Sequence, residues 1–195
     1  MMNRDMTISQ RVTRAADSCE LEKVLATHNY LHAASRSYEE WTTVWSKRED
    51  TSWAHSFGRM RGFPSIWMGS VVDYDQQCID NYRQIEANYP EVAGMDYRPL
   101  YNNAMHTLTN GVLEVADDGK TARASYLTPG LLYSFLNDDQ KPWGAMLWER
   151  YGMDFVKEED GWKFLHYQVC PEFFDLFDVF NPAEMMYHNL KNNVP

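Results

Sequence analysis

Cysteine is scarce and scattered in this chain: three residues, Cys19, Cys78 and Cys170, among 195. An odd count with no close pair excludes a zinc knuckle and a CxxC redox motif, and leaves reduced thiols as the reading. Basic residues are also few. Lys and Arg number 18 against 28 Asp and Glu, for a formal charge of -10. No Lys/Arg cluster interrupts that acidic field, so phosphate backbones are repelled and nucleic acid is not an expected partner. Long apolar runs are missing, and the opening MMNRDMTISQ has no apolar signal core. The expected location is therefore cytoplasmic, away from membranes. Gly58, Gly62 and Gly69 make no phosphate loop, and no HExxH occurs. No nucleotide, metal or other cofactor is expected.

What is plentiful is aromatic surface: 7 Trp, 12 Tyr and 9 Phe. Rings in that number suit a flat apolar ligand or a subunit interface. The length suits one domain over 1–195, with a core of about 18–171, an N-terminal arm and a C-terminal tail. Within the core, Leu21, Val24, Leu25, Leu31 and Ala34 recur at helical spacing, with Asp17 or Ser18 as the cap. Ser37 followed by Glu40 reads as a capping box opening a second helix through Trp41, Val44 and Trp45. From Thr51 to Arg61 the period changes to two. One strand there puts Trp53, His55, Phe57 and Arg59 on a single face. A third helix is expected over 71–87, stopped by Pro90.

Hairpins follow. MHTLTNGVLEV turns at Asp117-Asp118-Gly119 into KTARASYLT, which Pro129-Gly130 ends, and GAMLWERYGMDFVKE turns at Asp160-Gly161 into WKFLHYQVC, which Pro171 ends. The tail after Pro171, rich in Phe and Met, is expected as short helical turns over an opening or a neighbouring subunit. Helices first and hairpins after indicate an α+β domain. Its N-terminal helices would cross a cone-shaped, curved antiparallel sheet and enclose a hydrophobic cavity suited to small molecules.

Into that cavity, strand alternation aims His106 and His55. Histidine titrates near neutrality, so two of them among aromatic rings suit proton transfer to and from a substrate. The bland alternative is a core histidine bonded to a neighbouring strand. Asn110 shares the face of His106 and reads either as a hydrogen-bonding group for substrate oxygen or, with Gly111, as a bulge. His28 and His32 have the i,i+4 spacing that can hold a metal, but no third ligand of matching spacing accompanies them. Arg59 and Arg150 offer planar forks for a phenolate or carboxylate. Trp148 and Tyr151 divide between packing and substrate contact.

These pieces together, NYLHAASRSYEEW, AHSFGRMRG, HTLTN, ASY and ERYGMDFVKEEDGWKF with PEFFDLF after it, resemble the SnoaL-like branch of the nuclear-transport-factor-2-like superfamily. That superfamily includes scytalone dehydratase, ketosteroid isomerase and polyketide cyclases, and the resemblance runs from about Leu21 to Pro171. It implies His106 as the base, His55 on the same cavity, and Tyr30, Tyr126 and Asp154 at recurring site positions. Where many catalytic relatives carry an Asp after the first-helix Tyr, this chain has Ser35. The resemblance then leaves Asp154 or another carboxylate to orient His106.

The expected activity is that of a cofactor-independent lyase on a hydroxylated aromatic or polycyclic small molecule. A dehydratase is the simplest form. A carbon–carbon lyase releasing formaldehyde from a lignin-type diaryl compound is a neighbouring one, and isomerisation or cyclisation stays open. His106 would take a proton, with Tyr126, Tyr30 or His55 protonating the departing oxygen. Trp53, Phe57, Arg59, Asn110, Trp148, Arg150 and Tyr151 are the expected substrate-binding residues. A homodimer or homotrimer is expected. The rival from another class is a non-catalytic protein of the same fold, either the small subunit of a ring-hydroxylating oxygenase or a ligand-binding protein.

Overall fold

The computed structural model describes residues 6–33, 36–55, 58–66, 103–134 and 143–177, with the single positions 80, 83, 86, 87 and 90. The helix expected over 71–87 falls mostly outside these, although 80, 83, 86 and 87 are helical. The tail beyond 177, the loop over 138–142 and Phe57 also lie outside the described residues.

Helix α1 runs Ile8–Ala33, ten residues and more ahead of the expected start. The cause is a capping box at Thr7-Ile8-Ser9-Gln10. The Gln10 amide donates to Thr7 Oγ1 at 3.2 Å, and the Thr7 amide donates to Gln10 Oε1 at 2.9 Å. Asp17 is not a cap but a buried mid-helix carboxylate. It accepts from Lys157 Nζ at 2.5 Å and from Trp162 Nε1 at 3.1 Å. The buried residues Asp17, Leu21, Leu25, His28 and Leu31 make one stripe along α1. Helix α2, Ser37–Val44, begins after Arg36 without a side-chain cap and buries Ser37, Glu40, Trp41 and Val44. Glu40 therefore faces inward, and the capping role expected of it is absent.

The strand expected over Thr51–Arg61 is a hairpin: β1 Ser52–His55 pairs antiparallel with β2 Gly58–Arg61, His55 opposite Gly58. The reversal between them breaks the alternation that would have put Trp53, His55 and Arg59 on one face. A short helix α3, Phe63–Ile66, follows. The remaining strands are β3 Asn103–His106, β4 Thr109–Val115, β5 Thr121–Ser134, β6 Trp143–Glu158 and β7 Gly161–Phe177. Their order is β2-β1-β7-β6-β5-β3, with β4 also on β5. All pairs are antiparallel except β1 with β7, where the chain leaving α2 enters alongside β7.

Neither proline stop operates. Pro129 continues β5 opposite Trp148, and β7 passes Pro171 by a bulge: Glu149 pairs Pro171 while Trp148 pairs Phe173, so Glu172 is the extra residue. On the face beneath α1 and α2, alternation places Ala122, Ala124 and Thr128 of β5, and Leu147, Glu149, Tyr151, Met153 and Phe155 of β6, all buried. A second bulge at Leu165 lets Phe164 and Tyr167 of β7 both turn inward. Trp41 stacks on Trp45 at 4.0 Å between ring centroids, and Trp45 meets Phe164 at 5.3 Å, closing this core against α2. The α+β arrangement expected from the sequence is the one present. Among the described residues no helix is long and apolar enough to cross a membrane.

Candidate active site

The inner face of the sheet holds polar residues where apolar ones would pack most simply. Glu149 and Tyr151 come from β6, Tyr167 from β7 and His106 from the end of β3. From the helices come His28 and His32, one turn apart on α1, and Glu40 on α2. Nδ1 of His106 lies 2.9 Å from the Tyr151 hydroxyl, which donates to Glu149 Oε2 at 2.9 Å. Glu149 Oε2 is itself 3.4 Å from Nδ1 of His106. A carboxylate only accepts, so the single Tyr151 proton is committed to Glu149 and the His106 contact requires Nδ1–H to donate. Neutral His106 then carries its lone pair on Nε2. The hydrogen positions follow from this donor and acceptor balance.

A second carboxylate organises the helix histidines. Glu40 Oε1 accepts from His28 Nδ1 at 2.8 Å and from Trp45 Nε1 at 3.3 Å, while Oε2 lies 3.5 Å from His32 Nδ1. His28 Nε2 faces the Tyr167 hydroxyl at 3.2 Å. Tyr167 and Tyr151 pack at 5.2 Å between centroids. The His32 ring sits 5.7 Å from His28 and 5.9 Å from His106. Asn29 Nδ2 donates to the His106 carbonyl at 3.3 Å, tying β3 to α1.

Electrostatics separate the two ends. Burial, with the neighbouring imidazoles His32, His28 and His55 adding to it, pushes His106 down to about 3, so its ring is neutral. Glu149 opposes that, but burial raises its own carboxyl against the Tyr151 hydrogen bond and the charge of His32. His106 is neutral, because burial and the neighbouring imidazoles outweigh the Glu149 carboxylate beside it. Burial also works against charge at Glu40 and His32, and loses there. The charge and hydrogen bonds of His28 and His32 hold Glu40 well below the usual carboxylate range. The hydrogen bond and charge of Glu40, then Glu149, raise His32. Burial and then His32 lower His55. Tyr151 and Tyr167 are both pushed above the ordinary phenol range, first by burial.

Of the residues expected from sequence, His106 and Tyr151 enter this cluster directly. His55 lies at its margin beside Trp53, 5.7 Å away between centroids, and Trp53 packs edge-on to Trp41. Tyr126 is on the inner face but lies over Gly111 of β4. The others stand elsewhere. Tyr30 is 68% exposed on α1, away from the stripe that carries His28. Asp154 is exposed, because on β6 it has the opposite parity to Tyr151; with Arg59 it lines a groove of about 750 Å³ on the outer face. The carboxylate beside His106 is Glu149, not Asp154. Arg150 and Trp148 also point outward. Asn110 has φ 49° at a register shift between Thr109 and Val112, so it serves the bulge.

Sequence reasoning missed Glu149 and Tyr167, and gave Glu40 only a capping role and His28 and His32 only a metal role. One signal for them was legible: each is an ionisable or polar side chain on an otherwise apolar face, Glu149 within Leu147, Tyr151, Met153 and Phe155, and Glu40 beside Trp41 and Val44. Buried polar groups need partners, so such positions imply one another.

A model of the SnoaL-like domain matches residues 13–168. No curated protein sequence matches the chain. Solved structures with the same fold include a protein from Novosphingobium aromaticivorans assigned as a scytalone dehydratase, at TM-score 0.58 and 12% identity over 87% of this chain and 93% of that one. A type 3 hexachlorocyclohexane dehydrochlorinase, LinA, from Novosphingobium barchaimii aligns at TM-score 0.56 and 14% identity, covering 87% and 96%. An NTF2-like protein with a cystatin-like fold, from Novosphingobium aromaticivorans, aligns at TM-score 0.55 and 15% identity, covering 95% and 97%.

Proposed function

We propose that this chain, which belongs to the SnoaL-like domain family, is a lyase working by acid–base catalysis without a cofactor, most simply a dehydratase of a hydroxylated aromatic or polycyclic compound. The observation that carries this reading is the run of contacts from His106 Nδ1 through the Tyr151 hydroxyl to Glu149. With Nδ1–H held by Tyr151 and Tyr151 held by Glu149, a neutral imidazole is left to accept a proton at Nε2. When that proton arrives, Glu149 at 3.4 Å stabilises the imidazolium that forms. A positioned base of this kind contributes roughly 10²–10⁴-fold.

Elimination fits the arrangement because one proton is taken while a leaving group departs from the neighbouring carbon. Two neighbours in fold bear names for such reactions, loss of water and loss of hydrogen chloride. Trp53, half-buried beside His55, suits a ring-bearing substrate. The same base acting on a phenol would serve a carbon–carbon lyase that releases formaldehyde. A second reading, a non-catalytic subunit, is favoured by Leu131, Met146 and Trp148, exposed together on the outer face. That face serves equally in a homo-oligomeric enzyme. A subunit used only for contacts has no need of two buried carboxylate–imidazole sets, each of which costs desolvation.

The test is a screen of phenolic, diaryl and steroid-like compounds with products followed by mass spectrometry, in which loss of water and loss of formaldehyde differ in mass. Conversion by the native chain and none by His106→Gln is the expected result. Equal conversion by the variant overturns the assignment of the base.

A further inference from the structure

The lyase reading leaves the proton donor open, and most groups near His106 are poor donors. Tyr151 has committed its proton to Glu149. Tyr167 is buried, and Tyr30 is outside the cluster. His55 is disfavoured as a cation by burial and by His32. The remaining ring is His32.

We propose that His32, gripped at Nδ1 by Glu40 and 5.9 Å from His106 between ring centroids, is the proton donor of the site, and that Glu40 is the positioning residue keeping it charged. About a third of the His32 side-chain surface is open, against 8% for His28 and 3% for Glu40, so among the three it is the ring a substrate can touch. Glu40 is well placed for the role. Its Oε1 is taken by His28 and Trp45, its burial forces it to remain paired, and Oε2 is turned to His32. Among the described residues, the ionisable groups facing His32 are His28 on its own helix, Glu40 from α2, His106 from β3 and Glu149 from β6, with His55 of β1 near enough to feel its charge. Two carboxylates among these neighbours favour a cation at His32, while the buried end of the cluster favours neutral His106. Two titratable groups driven apart in this way divide into acid and base.

Resting on the lyase reading, the step balances. His106 Nε2 takes the proton from carbon, and that C–H pair becomes the new double bond. The C–O bond breaks with its pair on oxygen. The oxygen takes a proton from the His32 nitrogen that Glu40 does not hold and leaves as water. His106 then holds one proton more and His32 one fewer, and release of the His106 proton to solvent with uptake of one by His32 resets both rings.

The test needs no substrate. In the full-length ¹⁵N-labelled protein, long-range ¹H–¹⁵N spectra from about pH 5 to about pH 9 report each histidine's charge and tautomer. His32 is expected to carry protons on both ring nitrogens at neutral pH while His106 is neutral with Nδ1–H. In Glu40→Gln, or in Glu40→Asp should the first variant not fold, His32 should lose its charge by neutral pH. Benzoate serves as the probe for an oxygen anion on an aromatic frame. Its binding should perturb the His32 signals and weaken about tenfold or more in His32→Gln. A neutral His32 in the native protein, an unchanged His32 in the folded Glu40 variant, or benzoate binding that is absent or unaffected by His32→Gln each overturns the proposal. Those outcomes leave the base untouched; a fully active His106→Gln variant overturns the base, and a native chain that converts no compound in the screen overturns the lyase reading.

Discussion

The hydroxyl of Tyr151 stands 2.9 Å from Nδ1 of His106 and decides which nitrogen of that ring is protonated. Without the hydroxyl, Glu149 Oε2 at 3.4 Å is left to hold Nδ1–H, a longer and weaker contact than the one lost. Tyr151→Phe is therefore expected to lower kcat by roughly 10²-fold or more, with KM changing far less, because the loss is felt when the proton moves. The ring shape is kept, so steady-state kinetics on a compound from the screen, alongside a thermal melt showing a folded variant, checks it. Unaltered kcat would remove Tyr151 from the mechanism.

Acid should destabilise the fold through His106. Its ordinary value is 6.5, and in the folded chain it is pushed down to about 3, chiefly by burial. Between those values the unfolded chain binds the proton and the folded chain does not, so stability falls as pH falls through that window. Above 6.5 the group has no effect. Urea melts at a series of pH values should give a shallower decline for His106→Gln than for the native chain.

Glu40 acts in the same direction at lower pH. Burial opposes its ionisation, but His28 and His32 outweigh it and lower its value from 4.5. Stability from this carboxylate is complete above about 4.5 and is lost as pH falls toward its folded value. The same melts on Glu40→Gln should show a lower plateau at neutral pH and a smaller further loss below pH of about 4.

Packing on the inner face makes a steric prediction. A Cβ added at Gly111 would overlap the ring of Tyr126, closer than any real contact. Gly111→Ala should cost about 1–3 kcal/mol by overpacking. Tyr126→Ala in the same chain should recover part of that cost, a coupling that a double-mutant cycle of urea melts measures.

At the far end of α1, Asp17 accepts from both Lys157 and Trp162. Asp17→Ala leaves the buried indole N–H without its acceptor and should cost about 1–3 kcal/mol. Lys157→Met should cost less, since Lys157 is 38% exposed and its ion pair is partly screened. Equal losses in chemical denaturation would contradict this ranking.

Much of the fold was legible from local pattern. The period of two in GAMLWERYGMDFVKE, the helical recurrence of Leu21 and Leu25, and the Asp-Gly turns each report a neighbour relation within a few residues. The misreadings came where tertiary pairing overrode a local sign. Pro129 and Pro171 looked like strand ends, yet one continues opposite Trp148 and the other sits at a bulge. Ser37 with Glu40 looked like a capping box, while the working one, Thr7 with Gln10, passed unread in the N-terminal arm. Trp53 to Arg59 alternated convincingly, but the chain reverses between His55 and Gly58.

By itself the sequence determined the class of fold, the helices and hairpins that build it, and an inward-facing His106, because side-chain period and turn chemistry are local properties of the chain. Only the tertiary structure decided which carboxylate meets which imidazole. Glu149 and His106 are 43 positions apart and His28 and Tyr167 are 139 apart, and their partnership depends on strand register and on how α1 and α2 lie across the sheet. Charge states follow the same rule. Burial and neighbours set them, and neither exists until the chain has folded.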